Sequence, residues 1–178
     1  MTGTTPLLEV RGLHVDYGVG TDAVHAVTDA DLTLYPGEVA GLAGESGSGK
    51  STLAFAITRL LRAPGVITAG SVRLNPGTGA GQLEASLNLL TASESALRQI
   101  RWTQIAVVMQ SAMHALNPVF RLGTQLTDVL RAHRPEMSRA ARLERAADLL
   151  RMVGITPDRL RAYPHELSGG MRQRAMIA

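Results

Sequence analysis

Residues 38–62, EVAGLAGESGSGKSTLAFAITRLLR, hold the segment that decides how the chain is read. The run EVAGLA at 38–43 is short and apolar, consistent with a buried strand. Gly44-Glu45-Ser46-Gly47-Ser48-Gly49-Lys50-Ser51 then fits the pattern G-x-x-x-x-G-K-[ST], and a helical pattern follows it. Strand, glycine-rich loop and helix in that order are the context the pattern requires. The chemistry explains the spacing. Glycines let successive N–H groups turn inward toward phosphate oxygens. A helix starting near Lys50 adds the positive end of its dipole. Lys50 reaches the β- and γ-phosphates, Ser51 offers its hydroxyl to Mg²⁺, and Thr52 adds a phosphate contact. A plain Gly/Ser linker between strand and helix is the competing reading. The loop alone indicates a nucleotide, and it suits kinases, GTPases, helicases and transport ATPases equally.

Composition sets the outer bounds. At 178 residues there is room for one domain, or a domain with a subdomain. A hydrophobic fraction of 45% supports a packed core, and 3% aromatics means that aliphatic side chains and Met must build it. The chain has no cysteine, which excludes disulfides, thiolate metal sites and a cysteine nucleophile. No apolar run approaches the roughly 18 residues a membrane span needs. The start, MTGTTPLLEVRGL, lacks the layout of a signal peptide. The net charge of +3 comes from arginines spread along the chain, many beside acids as in RAARLERAADLLR, so it reads as solvated helix surface rather than as a nucleic-acid footprint. Of the 18 basic residues, Lys50 is the single lysine. A compact ammonium suits a tight phosphate pocket better than a planar guanidinium fork.

Outward from the loop, residues 8–17 alternate as a strand with Leu13, Val15 and Tyr17 on one face, and Gly12 marks a bulge. Residues 24–34 end in a second alternating run before the Pro36-Gly37 turn. SVRLN at 71–75 reads as a strand, 76–82 as a glycine-rich loop, 83–101 as helix or helical turns, and IAVVMQ at 105–110 as a buried strand. Asn117-Pro118 opens a loop. Ser138 is placed to cap a helix over RAARLERAADLLRMV, which Gly154 ends. Its apolar stripe is 140, 143, 146, 147, 150 and 153. TPDRLRAYPHE predicts a second short helix with a proline break.

The end of the chain narrows the choice. LSGGMRQRAMIA at 167–178, downstream of a phosphate loop, resembles the signature of the ATP-binding-cassette (ABC) ATPases, which begins LSGGQ; Met171 stands where the Gln is usual. The residues agree on their own terms. Ser168 can cap the following helix, and Gly169 and Gly170 let an anion approach its free N–H groups. The resemblance implies that Ser168, Gly169, Gly170 and Met171 meet the nucleotide held by a second cassette. It implies that Tyr17 stacks on adenine, and that Gln110 is the glutamine that meets Mg²⁺ or the attacking water. LLTASESALRQIRWTQIAVVMQSAMHALNPVFRLGTQL and YPHELSGGMRQRAMIA are similar to the dipeptide, oligopeptide and nickel importer branch, although Ser111-Ala112 replaces that branch's usual Asp-Pro. His165 is read as structural, because the family's catalytic histidine lies well beyond the signature.

The expected fold is therefore α/β, a P-loop NTPase core with a partly parallel sheet and an antiparallel N-terminal β portion, plus a helical subdomain. Residues 1–110 would form the nucleotide-binding core and 111–178 the subdomain. The family also needs an apolar strand ending in Asp-Glu and a switch histidine after the signature. Neither is found in these residues, so the expectation is a C-terminally incomplete cassette that names no catalytic residue and does not hydrolyse ATP alone. The resemblance implies ATP and Mg²⁺ as cofactors, and Ser51 and Gln110 as metal-facing residues. It implies a second ATPase subunit, integral membrane permease subunits, indirectly an extracytoplasmic solute-binding protein, no nucleic acid, and a peripheral place on the cytoplasmic face of the cell membrane. Two other classes stay open: a non-catalytic nucleotide-binding remnant, and a soluble cassette protein that does not transport.

Overall fold

The computed structural model describes residues 5–18, 20–75, 85–108 and 116–178. The chain divides into two compact units, Met1–Ala106 and Val107–Ala178. In the first, β1 (Leu8–Tyr17), β2 (Val24–Leu34), β3 (Gly65–Leu74) and the short β4 (Leu87–Asn88) form a sheet in the order β2-β1-β3-β4. All three pairings are antiparallel. Two helices accompany it, α1 (Lys50–Ile57) and α2 (Glu94–Ile100). The period-two pattern of β1 holds on either side of Gly12, with Leu8 and Val10 buried before it and Leu13 and Val15 after it. The phase is reset at the register shift there. Tyr17, expected on the same face as Leu13 and Val15, is only half-buried, and Val72 of β3 is fully buried. Each such side chain is worth about 1.5–3 kcal/mol of burial before chain entropy is counted. α1 contributes Ala56 and Ile57, α2 contributes Leu97 and Ile100, and the turn after β4 contributes Leu89 to the same core.

The expected bulge at Gly12 is present. The register of β1 shifts against both neighbours there, and Gly12 has φ +50°. Its N–H leaves the ladder and donates to Asp31 Oδ1 at 2.7 Å. β3 comes so close at this point that a Cβ on Gly70 would lie 2.4 Å from the Gly12 carbonyl oxygen.

The second unit is helical, with α3 (Leu122–His133), α4 (Arg139–Met152) and α5 (Gly169–Ile177). Ser138 caps α4 as predicted, its Oγ accepting from Ala141 N at 3.2 Å, and Gly154 leaves the helix at φ +69°. From the apolar stripe, Ala146 and Leu150 are fully buried, while Leu143 stays exposed. Leu150 packs in a separate core with Leu122, Ile155, Leu167 and Ala175. The short helix expected around 156–166 is instead two 3₁₀ turns, Pro157–Arg161 and Pro164–Glu166, each started by its proline.

Other expectations need correction. Residues 38–45 form no strand, and Val39 is 95% exposed. Residues 106–108 form none either, and Ile105 makes only an isolated parallel bridge to Arg101. A buried parallel strand depends on neighbours at both edges, and among the described residues none is bonded to either stretch. The strand read at 71–75 begins earlier, at Gly65, because β1 offers partners along its whole length. The helical reading of 83–101 resolves into β4, a turn and α2. The loop at 76–82, the end of the 105–110 strand, Gln110 and Ser111-Ala112 lie outside the described residues.

Candidate functional site

The loop Gly44–Gly49 leads into the first turn of α1, and Lys50 folds back over it. The Lys50 ammonium donates to the Gly44 carbonyl at 2.8 Å, to the Glu45 carbonyl, and to Ser48 Oγ at 3.2 Å. A single cation thus sits among acceptors of its own loop, where an incoming phosphate group would offer stronger, charged ones. Gly49 precedes the helix with φ +83° and gives it no side-chain cap. A Cβ there would lie 2.3 Å from the Ala26 carbonyl oxygen of β2, so glycine alone lets the loop lie against the sheet. The uncapped first turn leaves N–H groups of α1 turned outward, where an anion is favoured. Glu45, Ser46, Gly47 and Ser48 are exposed, and Gly47 adopts φ +84°.

Ser51 stands on the first turn of α1, exposed, and its hydroxyl makes no hydrogen bond among the described residues. No group of three or more His, Cys, Asp or Glu able to hold a metal occurs among the described residues. A single free hydroxyl beside a phosphate-sized loop fits Mg²⁺ brought in on a nucleotide, since Mg²⁺ is commonly held by substrate phosphates and few protein ligands. Thr52 faces the sheet, and its Oγ1 lies 3.4 Å from Tyr17 Oη at the end of β1. The structure therefore brings Tyr17 to the same helix turn as Lys50, Ser51 and Thr52. The Tyr17 ring edge also packs at Gly65, where a Cβ would lie 3.0 Å from Cε1.

The signature residues lie in the second unit, at the start of α5. Ser168 Oγ accepts from Met171 N at 3.3 Å, as its cap position predicts. Gly170 has open space where a Cβ would stand. Ahead of it, Glu166 Oε2 accepts from Tyr163 N at 2.6 Å, and His165 stacks on Tyr163 with centroids 5.6 Å apart. His165 is thus engaged in the turn before the signature, in keeping with a structural role.

Two residues escaped the sequence reading. Arg174 Nη1 donates to the carbonyls of Val153 at 3.1 Å and Gly154 at 2.8 Å, tying the signature helix to the end of α4. Gln125 accepts from Asn117 N at 2.9 Å and donates to the carbonyls of Asn117 and Phe120, which holds the turn that exposes Val119 and Phe120. Arg174 lies 20 residues beyond Gly154, so no local pattern marks the first. Nothing local marks the second.

Comparison with known proteins adds to this geometry. The family model described as ABC transporter matches residues 27–178. A protein of Brucella melitensis biotype 1 described as a peptide import ATP-binding protein is 46% identical over 176 residues, covering 97% of this chain and 50% of its own length. A second such protein, from Brucella abortus strain 2308, is 45% identical over 178 residues, with 98% and 50% covered. The chain spans about half the length of these curated relatives. Among solved structures, the dimeric bacterial ABC transporter cassette MJ0796 superposes with a TM-score of 0.76 at 25% identity, over 96% of this chain and 67% of that one. The post-hydrolysis state of MJ0796 bound to ADP and Pi superposes with a TM-score of 0.72 at 23% identity, over the same shares. The likeness covers the expected fold class, a P-loop NTPase cassette.

Proposed function

This chain belongs to the ABC transporter family, and on that premise we propose that it is part of the ATP-binding subunit of an importer that takes up peptides or a related small solute. The carrying observation is the placement of the Lys50 ammonium, held by loop acceptors at the uncapped start of α1. The naming of the curated relatives as peptide import ATP-binding proteins supports the importer reading.

In this reading Lys50 exchanges its loop acceptors for β- and γ-phosphate oxygens. The loop N–H groups from Gly44 to Gly49 surround the phosphates, and the Ser51 hydroxyl faces Mg²⁺. Mg²⁺, when bound, neutralises charge between the phosphates. Tyr17 offers its ring to adenine beside Thr52. Ser168, Gly169, Gly170 and Met171 present the start of α5 to the nucleotide held by a second cassette, and Gln110 meets the metal or the water. Hydrolysis also requires a carboxylate that polarises the attacking water, and no residue here is assigned that role. The permease subunits dock at the exposed turn that Gln125 holds, and the solute-binding protein acts through them. That arrangement places the subunit at the cytoplasmic face of the membrane. For the chain itself, no helix among the described residues is long and apolar enough to cross a membrane.

Calorimetric titration with ATP and Mg²⁺ tests the site. Wild-type chain should bind, and Lys50→Ala should weaken binding at least about tenfold, the loss expected for a charge-assisted contact of about 1.5–3 kcal/mol. Equal affinities for the two chains would remove the phosphate-loop assignment.

A further inference from the structure

We propose that the helical unit carries a second anion site, a cleft between α3, α4 and the Pro157–Arg161 turn that binds a ligand bearing two or more phosphate groups. The cleft has a volume of about 940 Å³, within the range of about 300–1,000 Å³ typical of small-ligand pockets. Five arginines line it: Arg121, Arg131, Arg139, Arg142 and Arg161. The only carboxylates among its lining residues are Asp128 and Asp158. Both already have a cation: Asp128 pairs with Arg131 at 3.2 Å, and Asp158 with Arg159 at 3.7 Å. Arg121, Arg139, Arg142 and Arg161 pair with no carboxylate among the described residues. Five arginines against two aspartates leave the lining of the cleft with three positive charges in excess.

Its walls are fixed. The Leu122 N–H at the head of α3 donates to the Ala162 carbonyl at 2.9 Å. Gly123 is buried so tightly that a Cβ would lie 2.8 Å from the Leu160 carbonyl oxygen. Leu143 and Leu160 add apolar surface to the lining. Arg121 is steadied over the Tyr163 ring, 5.5 Å from its centroid.

Guanidinium forks from three elements ask for a ligand with acceptors on several sides. A phosphate group offers three acceptor oxygens and a charge of about −1.5 to −2, so two of them match the excess. Paired N–H donors of arginine fit such oxygens two at a time. A carboxylate carries one charge and two oxygens, so the same match needs three of them held together. Soluble polyphosphates and the headgroups of anionic lipids share the favoured chemistry.

The experiment uses the whole chain with Lys50→Ala, so that the phosphate loop does not compete. The probes are inorganic tripolyphosphate by calorimetry and phosphatidylcholine vesicles, with and without cardiolipin, by flotation. Saturable tripolyphosphate binding that falls at least about tenfold in Arg139→Ala/Arg142→Ala/Arg161→Ala supports the site. If cardiolipin vesicles also bind, and tripolyphosphate displaces them, the lipid headgroup is the source. If tripolyphosphate binds alone, the source is soluble. The triple lysine variant preserves charge, should keep part of the affinity, and replaces the alanine variant if circular dichroism shows that variant unfolded. No binding of either probe overturns the proposal. So does binding indifferent to the arginines, or tighter arginine-dependent binding of a polyglutamate peptide, which would make the cleft a dock for an acidic protein segment.

Discussion

Lys50 shows how far a single residue can be read in advance. Its spacing within Gly44–Ser51 is local, so the loop pattern is legible from the sequence, and the structure turns its ammonium onto acceptors of that loop. Tyr17 is different. Its contact with Thr52 spans 35 positions, and no local pattern shows that a hydroxyl rather than a ring face meets the helix turn. Trp102 carries a feature the sequence hides altogether. It is 57% exposed and sits at φ +68°, with its N–H donating to the Ile105 carbonyl at 2.9 Å. A side chain with a Cβ in the left-handed region costs about 1–2 kcal/mol, and glycine does not incur it. Trp102→Gly and Trp102→Ala lose the same indole, so comparing them isolates the backbone. In urea unfolding the glycine variant should be the more stable by about 1 kcal/mol. An alanine variant at least as stable would mean that the positive φ carries no strain.

At the scale of elements, the caps were legible and the pairings were not. Ser138 and Ser168 each precede a helix by one residue, and each accepts from the third N–H onward. Ser138 belongs to the second unit and the phosphate loop to the first, so its role can be tested alone. Ser138→Ala should lower stability by about 1 kcal/mol and leave ATP affinity unchanged. β3 could not be bounded in the same way, because its first half, with glycines at 65 and 70, takes its register from β1. The β1–β2 pair also carries a titratable link, since Asp16 faces His25 across the ladder and its Oδ1 lies 2.8 Å from the ring Nδ1. The hydrogen bond with His25 holds the Asp16 carboxyl below its ordinary value of 3.8. A depressed folded-state value means that the stabilisation is present above 3.8 and is lost as pH falls through the folded-state value. Asp16→Asn should therefore be less stable than wild type at neutral pH, and the gap should close only below pH 3.8. A gap independent of pH down to that range would show that the carboxylate's charge plays no part.

Over the whole molecule, burial separates the parts of the sequence that were read well from those that were not. The runs around Val10, Leu13 and Val15 alternate and found antiparallel partners within the chain, so pattern and structure agree. The runs at 38–43 and 105–110 are continuously apolar, the mark of strands covered on both faces, yet Val39, Leu42 and Val108 are 95%, 57% and 56% exposed. Their pattern was legible, but the partners it calls for are not bonded to them among the described residues. Unpaired apolar backbone of this kind is a template for association between chains. The 178-residue chain by itself should therefore self-associate as its concentration rises, and sedimentation velocity would follow this directly. Val39→Ser/Leu42→Ser should shift the population toward monomer without unfolding the β1–β3 core, because neither side chain belongs to it. Circular dichroism of the double variant checks the second half of that statement. A wild-type chain that stays monomeric throughout, or a double variant that associates as strongly, would mean that these residues are covered in solution by something other than a second copy.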